Sequence, residues 1–256
     1  MERHYHIKNI FKFDSTFFIL ILLVILSGMF KPFLIFLSLI IIHEIGHLTF
    51  AKIFKWKVKE IHIYPTGGVV KFDCDINKPI KEELLILIMG PVFQISGFFL
   101  YFCLYKLNII NNNFYEMVRG YNLALLVFNL LPIYPLDGGK LFNLLLYKIF
   151  NFKISNKIVI LISYIFILIL FIINRSYNMI ILGMVLLFEV SKYLKYQDVI
   201  YNRFLLERYL KRYKFKKVKV INNLNNMYKD RCHVINFRKS YITERKYLDM
   251  VYGDRI

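Results

Sequence analysis

Only one tryptophan, six prolines and three cysteines occur in 256 residues. Cys74, Cys103 and Cys232 lie far apart and are odd in number, which speaks against a disulfide framework or a cysteine-ligated zinc site. Acidic residues are also scarce: 17 Asp and Glu stand against 35 Lys and Arg, a formal charge of +18. Such an excess could serve nucleic acid, but here the basic residues cluster beside apolar runs. Lys52, Lys55, Lys57 and Lys59, around the run that ends at Phe54, sit where the positive-inside rule places cytoplasmic ends of membrane spans. With 57% hydrophobic residues and a mean hydropathy of +0.48, the chain reads as a polytopic membrane protein rather than a soluble domain.

What is present is organised around His43-Glu44-Ile45-Gly46-His47, set inside the apolar run from Pro32 to Phe54. A charge at mid-bilayer costs about 2.5 to 3.5 kcal/mol on insertion scales, so ionisable residues there read as functional. On a helix the i, i+4 spacing brings both imidazoles to one face, where they can bind one metal ion with Glu44 beside it as a base. The pattern therefore points to peptide hydrolysis by zinc within a membrane.

The expected fold class is an all-α polytopic membrane protein of six transmembrane helices, with a short membrane-associated β-hairpin and a small α/β cytoplasmic tail. Span one is Phe17 to Phe30, lengthened at its start by Phe11 and Phe13; Ser27-Gly28-Met29 is a poor cleavage site, which disfavours a signal peptide. Span two, Phe33 to Phe54, is about 33 Å long at 1.5 Å per residue, enough to cross a bilayer. Residues 61–72 carry two β-prone arms around Pro65-Thr66-Gly67-Gly68 and predict a hairpin, either dipping over the site or lying plainly on the surface. Span three, Leu84 to Leu107, contains Gly90-Pro91, read as a kink, and Gln94. Span four, Tyr115 to Leu131, leads into an unwound segment; an amphipathic connector covers Leu141 to Lys157. Spans five and six are Ile158 to Ile173 and Tyr177 to Tyr193, with Glu189 read as an interfacial residue near Lys192. Both termini are then cytoplasmic. The chain divides into a membrane domain, 1–195, and a basic tail, 196–256, with strands expected at 217–220 and 233–237 and a helix at 199–213.

Catalytic zinc commonly has three protein ligands and lowers the pKa of a bound water towards about 7. His43 and His47 supply two. For the third, Asp137 in Asn129-Leu130-Leu131-Pro132-Ile133-Tyr134-Pro135-Leu136-Asp137-Gly138-Gly139 is the strongest candidate, an acid at membrane depth beside two glycines that allow close approach. Asp73, Asp75, Glu82 and Glu83, in or next to a polar loop, are weaker ones. Asn129 could bond substrate or simply a neighbouring helix. His4, His6, His62 and His233 read as ordinary solvated or interfacial residues.

Taken together, His43 to His47 and Asn129 to Gly139 resemble the paired motifs of the site-2 protease family of intramembrane zinc metalloproteases. The resemblance implies His43, His47 and Asp137 as zinc ligands, Glu44 as general base, and Asn129, Pro135, Gly67 and Gly68 as substrate-binding residues. The hairpin would hold substrate as an added strand. Where family members often have Gly-Pro-x-x-Asn, this chain reads Gly90-Pro91-Val92-Phe93-Gln94.

The short six-span layout is similar to the sporulation branch of that family. This implies a protein substrate, the precursor of the mother-cell sigma factor K, and inhibitory membrane partners resembling stage IV sporulation protein FA and bypass-of-forespore protein A. It also implies an outer forespore membrane location facing the mother cell, and a tail resembling a short CBS module that could bind ATP. Membrane lipid surrounds the chain, homo-oligomers are compatible with it, and no nucleic acid is expected. Rival readings are another site-2 substrate, such as an anti-sigma factor or remnant signal peptide, and a non-enzymatic metal transporter or sensor.

Overall fold

Long apolar runs with few helix breakers make helix the default here, because a spanning backbone must satisfy its own hydrogen bonds. The computed structural model describes residues 11–13, 24, 26–56, 58–64, 67–72, 76–173, 175–211, 213, 215–237 and 240–253. Four described helices are long and apolar enough to cross a membrane: Phe30–Ile53, Ile80–Lys106, Phe152–Ile173 and Tyr177–Lys195. Two of the six expected spans are therefore not among them. Most of Phe17 to Phe30 lies outside the described residues. The fourth is a helix, Asn112–Leu130, but Asn112, Asn113, Glu116, Arg119, Asn122 and Asn129 keep it below the apolar threshold.

The chain forms two compact units, residues 1–74 with 84–128, and residues 75–83 with 129–256. In the first unit, strand β1 (Phe11–Phe13) pairs parallel with β2 (Val58–Tyr64), which pairs antiparallel with β3 (Gly67–Phe72). The expected hairpin is present, but Gly67 and Gly68 lie within β3 rather than in the turn. Phe11 and Phe13 lengthen a sheet rather than a first span. A parallel partner so distant in sequence leaves no mark on either strand's own pattern.

Helix α1 (Phe30–Ile53) starts three residues earlier than expected, with Pro32 inside its first turn, where a missing N–H costs nothing. Its buried face is Ile35, Leu39, Ile40, His43, Gly46, His47 and Ala51, one helical stripe. The helix ends where Lys55 takes a left-handed φ of 57° and the Trp56 N–H donates to the Ala51 carbonyl at 2.8 Å. The single tryptophan packs on Ala51 and Ile86 and so anchors that end.

Helix α2 (Ile80–Lys106) runs through Pro91 as one element. It crosses α1 closely: a Cβ on Gly46 would lie 2.2 Å from the Met89 carbonyl oxygen. Helix α3 (Asn112–Leu130) adds Val118 and Leu125 to a core with Ile35, Leu39 and Ile40, flanked by Phe36, Phe98, Tyr101, Phe114 and Tyr121. Burying each large apolar side chain stabilises the unit by about 1.5 to 3 kcal/mol.

In the second unit, helix α4 (Asp137–Ile149) begins at Asp137 itself. The expected unwound segment, read as reaching Gly139, ends three residues earlier at Leu136, and the expected connector from Leu141 to Lys157 is split between α4 and α5 (Phe152–Ile173). α6 (Tyr177–Lys195) carries Glu189 with Lys192 at 3.9 Å, and α7 (Gln197–Leu210) follows. The tail is a small α/β module: β4 (Val218–Ile221) parallel to β5 (Cys232–Phe237), β5 antiparallel to β6 (Ser240–Thr243), then α8 (Glu244–Tyr252).

Arg208 of α7 holds this module together. It is buried between the Phe204 and Phe215 rings and donates to the Asn77 side chain, the Tyr228, Lys229 and Arg231 carbonyls, and the Glu244 carboxylate. Every guanidinium donor group thereby meets an acceptor, which a buried cation requires.

Candidate metal centre

His43 and His47 come to one point because α1 places them a turn apart, and because α2 brings acceptors to the far side of both rings. His43 Nδ1 lies 2.9 Å from Gln94 Oε1, and His47 Nδ1 lies 2.8 Å from the Ile86 carbonyl oxygen. A carbonyl only accepts, so His47 carries its proton on Nδ1. Gln94 Nε2 donates to the Asn122 carbonyl and to Asn122 Oδ1, so it is Oε1 that faces His43, and that ring also carries its proton on Nδ1. With Nδ1 so engaged, the nitrogen left to each ring for binding a metal is Nε2.

The two Nε2 atoms are 3.1 Å apart, with the rings edge to face at 79°. Two such nitrogens aimed at one point can share a cation placed between them. Two nitrogens at about 2.0 to 2.1 Å from a tetrahedral zinc are about 3.3 Å apart, so the pair fits that ion. Both rings are buried, at 2% and 7% exposure. Close helix approach makes this possible: a Cβ on Gly90 would stand 2.3 Å from His47 Cε1 and 2.8 Å from His43 Nε2. Gly90 thus leaves room for the rings, a role missed by reading Gly90-Pro91 only as a kink.

Glu44, the proposed base, is half-buried on the same helix. Asp137 is buried as the first residue of α4, where the helix dipole favours its negative charge, and Lys140 Nζ lies 3.2 Å from its Oδ1. Gly138 and Gly139 are helical; a Cβ on either would meet the Leu130 or Ile133 carbonyl at 2.2 to 2.5 Å. The segment that folds back over the first turn of α4 therefore requires both. Ser163 Oγ accepts from the Tyr134 N–H within that segment, and Asn129 and Pro135 are half-buried. Among the described residues, His43 and His47 of the first unit and Asp137 of the second are the metal-ligand candidates, each buried.

The weaker ligand candidates fall elsewhere. Glu83 is held by Lys229 Nζ at 2.5 and 2.7 Å, while Asp73 and Asp75 lie outside the described residues. His233, expected at a solvated surface, is buried: it bonds Glu244 through Nδ1 and accepts the Tyr228 N–H at Nε2.

The family model of peptidase family M50 matches residues 32–111 and 106–173. The chain belongs to peptidase family M50. It is 35% identical over 190 residues to stage IV sporulation protein FB of Bacillus subtilis, covering 72% of this chain and 66% of that protein, slightly under two thirds. It is 33% identical over 128 residues to a zinc metalloprotease of Methanocaldococcus jannaschii, covering 49% of this chain and 37% of that one. The solved site-2 protease of Methanocaldococcus jannaschii matches with a TM-score of 0.55 at 26% identity, covering 74% of this chain and 93% of the other. The expected site-2 protease membership is met, and the four long apolar helices agree with a protein that sits in membrane lipid. Zinc is the metal of that family, and ATP at the tail gains no support.

Proposed function

We propose that this chain is a zinc-dependent endopeptidase that cleaves a peptide bond within or beside the membrane. The observation that carries the reading is the His43–His47 pair on an apolar span, its Nε2 atoms face to face at 3.1 Å. His43, His47 and Asp137 would hold the ion. When bound, zinc polarises the scissile carbonyl and makes water acidic enough to attack near neutral pH. Glu44 takes the proton from the attacking water and passes it to the leaving amine. Asn129 and Pro135 contact the substrate, and the substrate backbone adds as a strand to the edge of β3 at Gly67 and Gly68, where backbone pairing gives affinity without strict sequence choice.

The substrate proposed is the precursor of the mother-cell sigma factor K. The 35% identity to a stage IV sporulation protein supports this choice. Both termini would face the mother cell from the outer forespore membrane, with inhibitory partners resembling stage IV sporulation protein FA and bypass-of-forespore protein A.

Co-expression with that precursor tests the reading through the precursor's size. A shift is expected with the native chain and none with Glu44→Gln, which keeps its zinc; the general base is worth about 10² to 10⁴ in rate. An unshifted precursor alongside a cleaved anti-sigma factor or remnant signal peptide would redirect the substrate while keeping the enzyme. Asp137→Ala is expected to lose zinc, and unchanged zinc content would remove Asp137 from the ligand set.

A further inference from the structure

Gln94 is fully buried, at 0% exposure, in the middle of an apolar helix. A primary amide there is costly unless its polar atoms are used, and Gln94 uses both ends. Its Nε2 donates to the Asn122 carbonyl at 2.9 Å and to Asn122 Oδ1 at 3.0 Å, while Oε1 lies 2.9 Å from His43 Nδ1. The arrangement has a direction. The backbone carbonyl of Asn122 cannot donate, so the amide cannot turn round without opposing two acceptors. If it did turn, its NH2 would face His43 Nδ1, the ring proton would move to Nε2, and His43 would point an N–H at the ion.

We propose that Gln94, oriented by Asn122, is a positioning residue that holds His43 in the tautomer able to bind metal, and thereby sets the affinity of the site. This rests on the zinc reading above. His47 obtains the same tautomer from a backbone carbonyl, that of Ile86, which no substitution at position 86 removes. The two ligands are thus secured differently, and only one depends on side chains. A neutral amide orients the ring as a carboxylate would, but adds no second buried charge to an apolar span. Outer partners of zinc-bound histidines are commonly worth about 10- to 100-fold in metal affinity.

The test uses the full chain in detergent, stripped of metal and labelled with 15N-histidine, with ring signals assigned through His43→Ala and His47→Ala. In the native protein both rings are expected as the Nδ1–H tautomer. In Gln94→Leu the His43 signal should move to a mixture while His47 stays, and zinc affinity measured by chelator competition should fall about 10- to 100-fold. Gln94→Glu should restore the His43 tautomer and the affinity, because a carboxylate accepts from Nδ1–H even though it has lost the donor to Asn122. A role in helix packing alone predicts no such rescue, since the carboxylate would then face the oxygens of Asn122. The proposal is overturned if Gln94→Leu keeps the native His43 signal and affinity, or if the Leu and Glu variants fail alike. Failure of the native chain to bind zinc would overturn the proposed function instead, and the tautomer signals would still decide the role of Gln94.

Discussion

His43 and His47 on α1 each turn Nδ1 towards a neutral oxygen, and their Nε2 atoms face one another. His233, in the tail, turns Nδ1 towards the Glu244 carboxylate at 2.8 Å, and its Nε2 accepts the Tyr228 N–H at 2.9 Å. All three rings are buried and carry the proton on the same nitrogen. The difference lies in what the remaining lone pair meets. At His233 a backbone amide uses it, so the ring is a structural bridge between β5, α8 and the turn at Tyr228. At His43 and His47 the lone pairs converge on one point, which is what a metal ligand needs. Burial and tautomer alone therefore do not separate a ligand from a brace.

The largest effect expected is at Gly90. Alanine is favoured over glycine in a helix by about 1 kcal/mol, so Gly90→Ala should leave α2 intact or firmer. Its methyl group would nonetheless collide with both imidazoles. Zinc affinity should fall by more than about 100-fold, beyond the loss from an outer partner, with helix content by circular dichroism unchanged. Native zinc content in Gly90→Ala would break the contrast, because the convergence of the two rings would then not matter.

A smaller and opposite effect is expected at Glu244. Its carboxylate takes a donor from buried Arg208 and two from His233, the ring and the backbone N–H. Removing the charge leaves Arg208 underpaid, a loss on the scale of about 3 kcal/mol for a broken buried pair. Glu244→Gln should speed hydrogen exchange of the β5 amides in the full chain and leave zinc affinity unaltered. A change in zinc affinity instead would show that the two histidine sites are not independent.

The sequence made one side of this contrast visible and hid the other. The convergence of His43 and His47 is legible because polar residues at i and i+4 stand out against an apolar span. Asp137 stands out beside its two glycines, which read as an unwound segment and form the tight first turn of a helix. Gln94 stands out in its apolar run, whereas its partner Asn122 sits among other polar residues of α3; two amides on neighbouring helices are nonetheless a pairing signal. His233 and Arg208 could not be read in this way. Their burial depends on Asn77, Phe215, Tyr228 and Glu244, which are scattered over the chain in polar surroundings where a histidine or arginine is unremarkable. The strand at Phe11–Phe13 was hidden for a related reason, since its partner lies some fifty residues on.

Acid offers the finest test of the same contrast. Burial chiefly, and the nearby cations, hold the His233 pKa below its ordinary value. Burial pushes Glu244 up, but the His233 hydrogen bond and the Arg208 guanidinium outweigh it and bring its pKa below the ordinary carboxylate value. Both folded pKa values lie below the unfolded ones, so the unfolded tail binds more protons and stability rises with pH. The contribution of His233 is present above its unfolded pKa of about 6.5 and is lost as pH falls through its lowered folded value. That of Glu244 is lost further down, as pH falls through its own folded value. Lowering the pH from about 7.5 to 5.5 should therefore reduce protection of the Val234 and Ile235 amides, after correction for intrinsic exchange, through the histidine. In His233→Asn the same step should change protection less. An equal loss in both proteins would mean that another group carries the acid sensitivity, and His233 would then be a brace without a proton linkage.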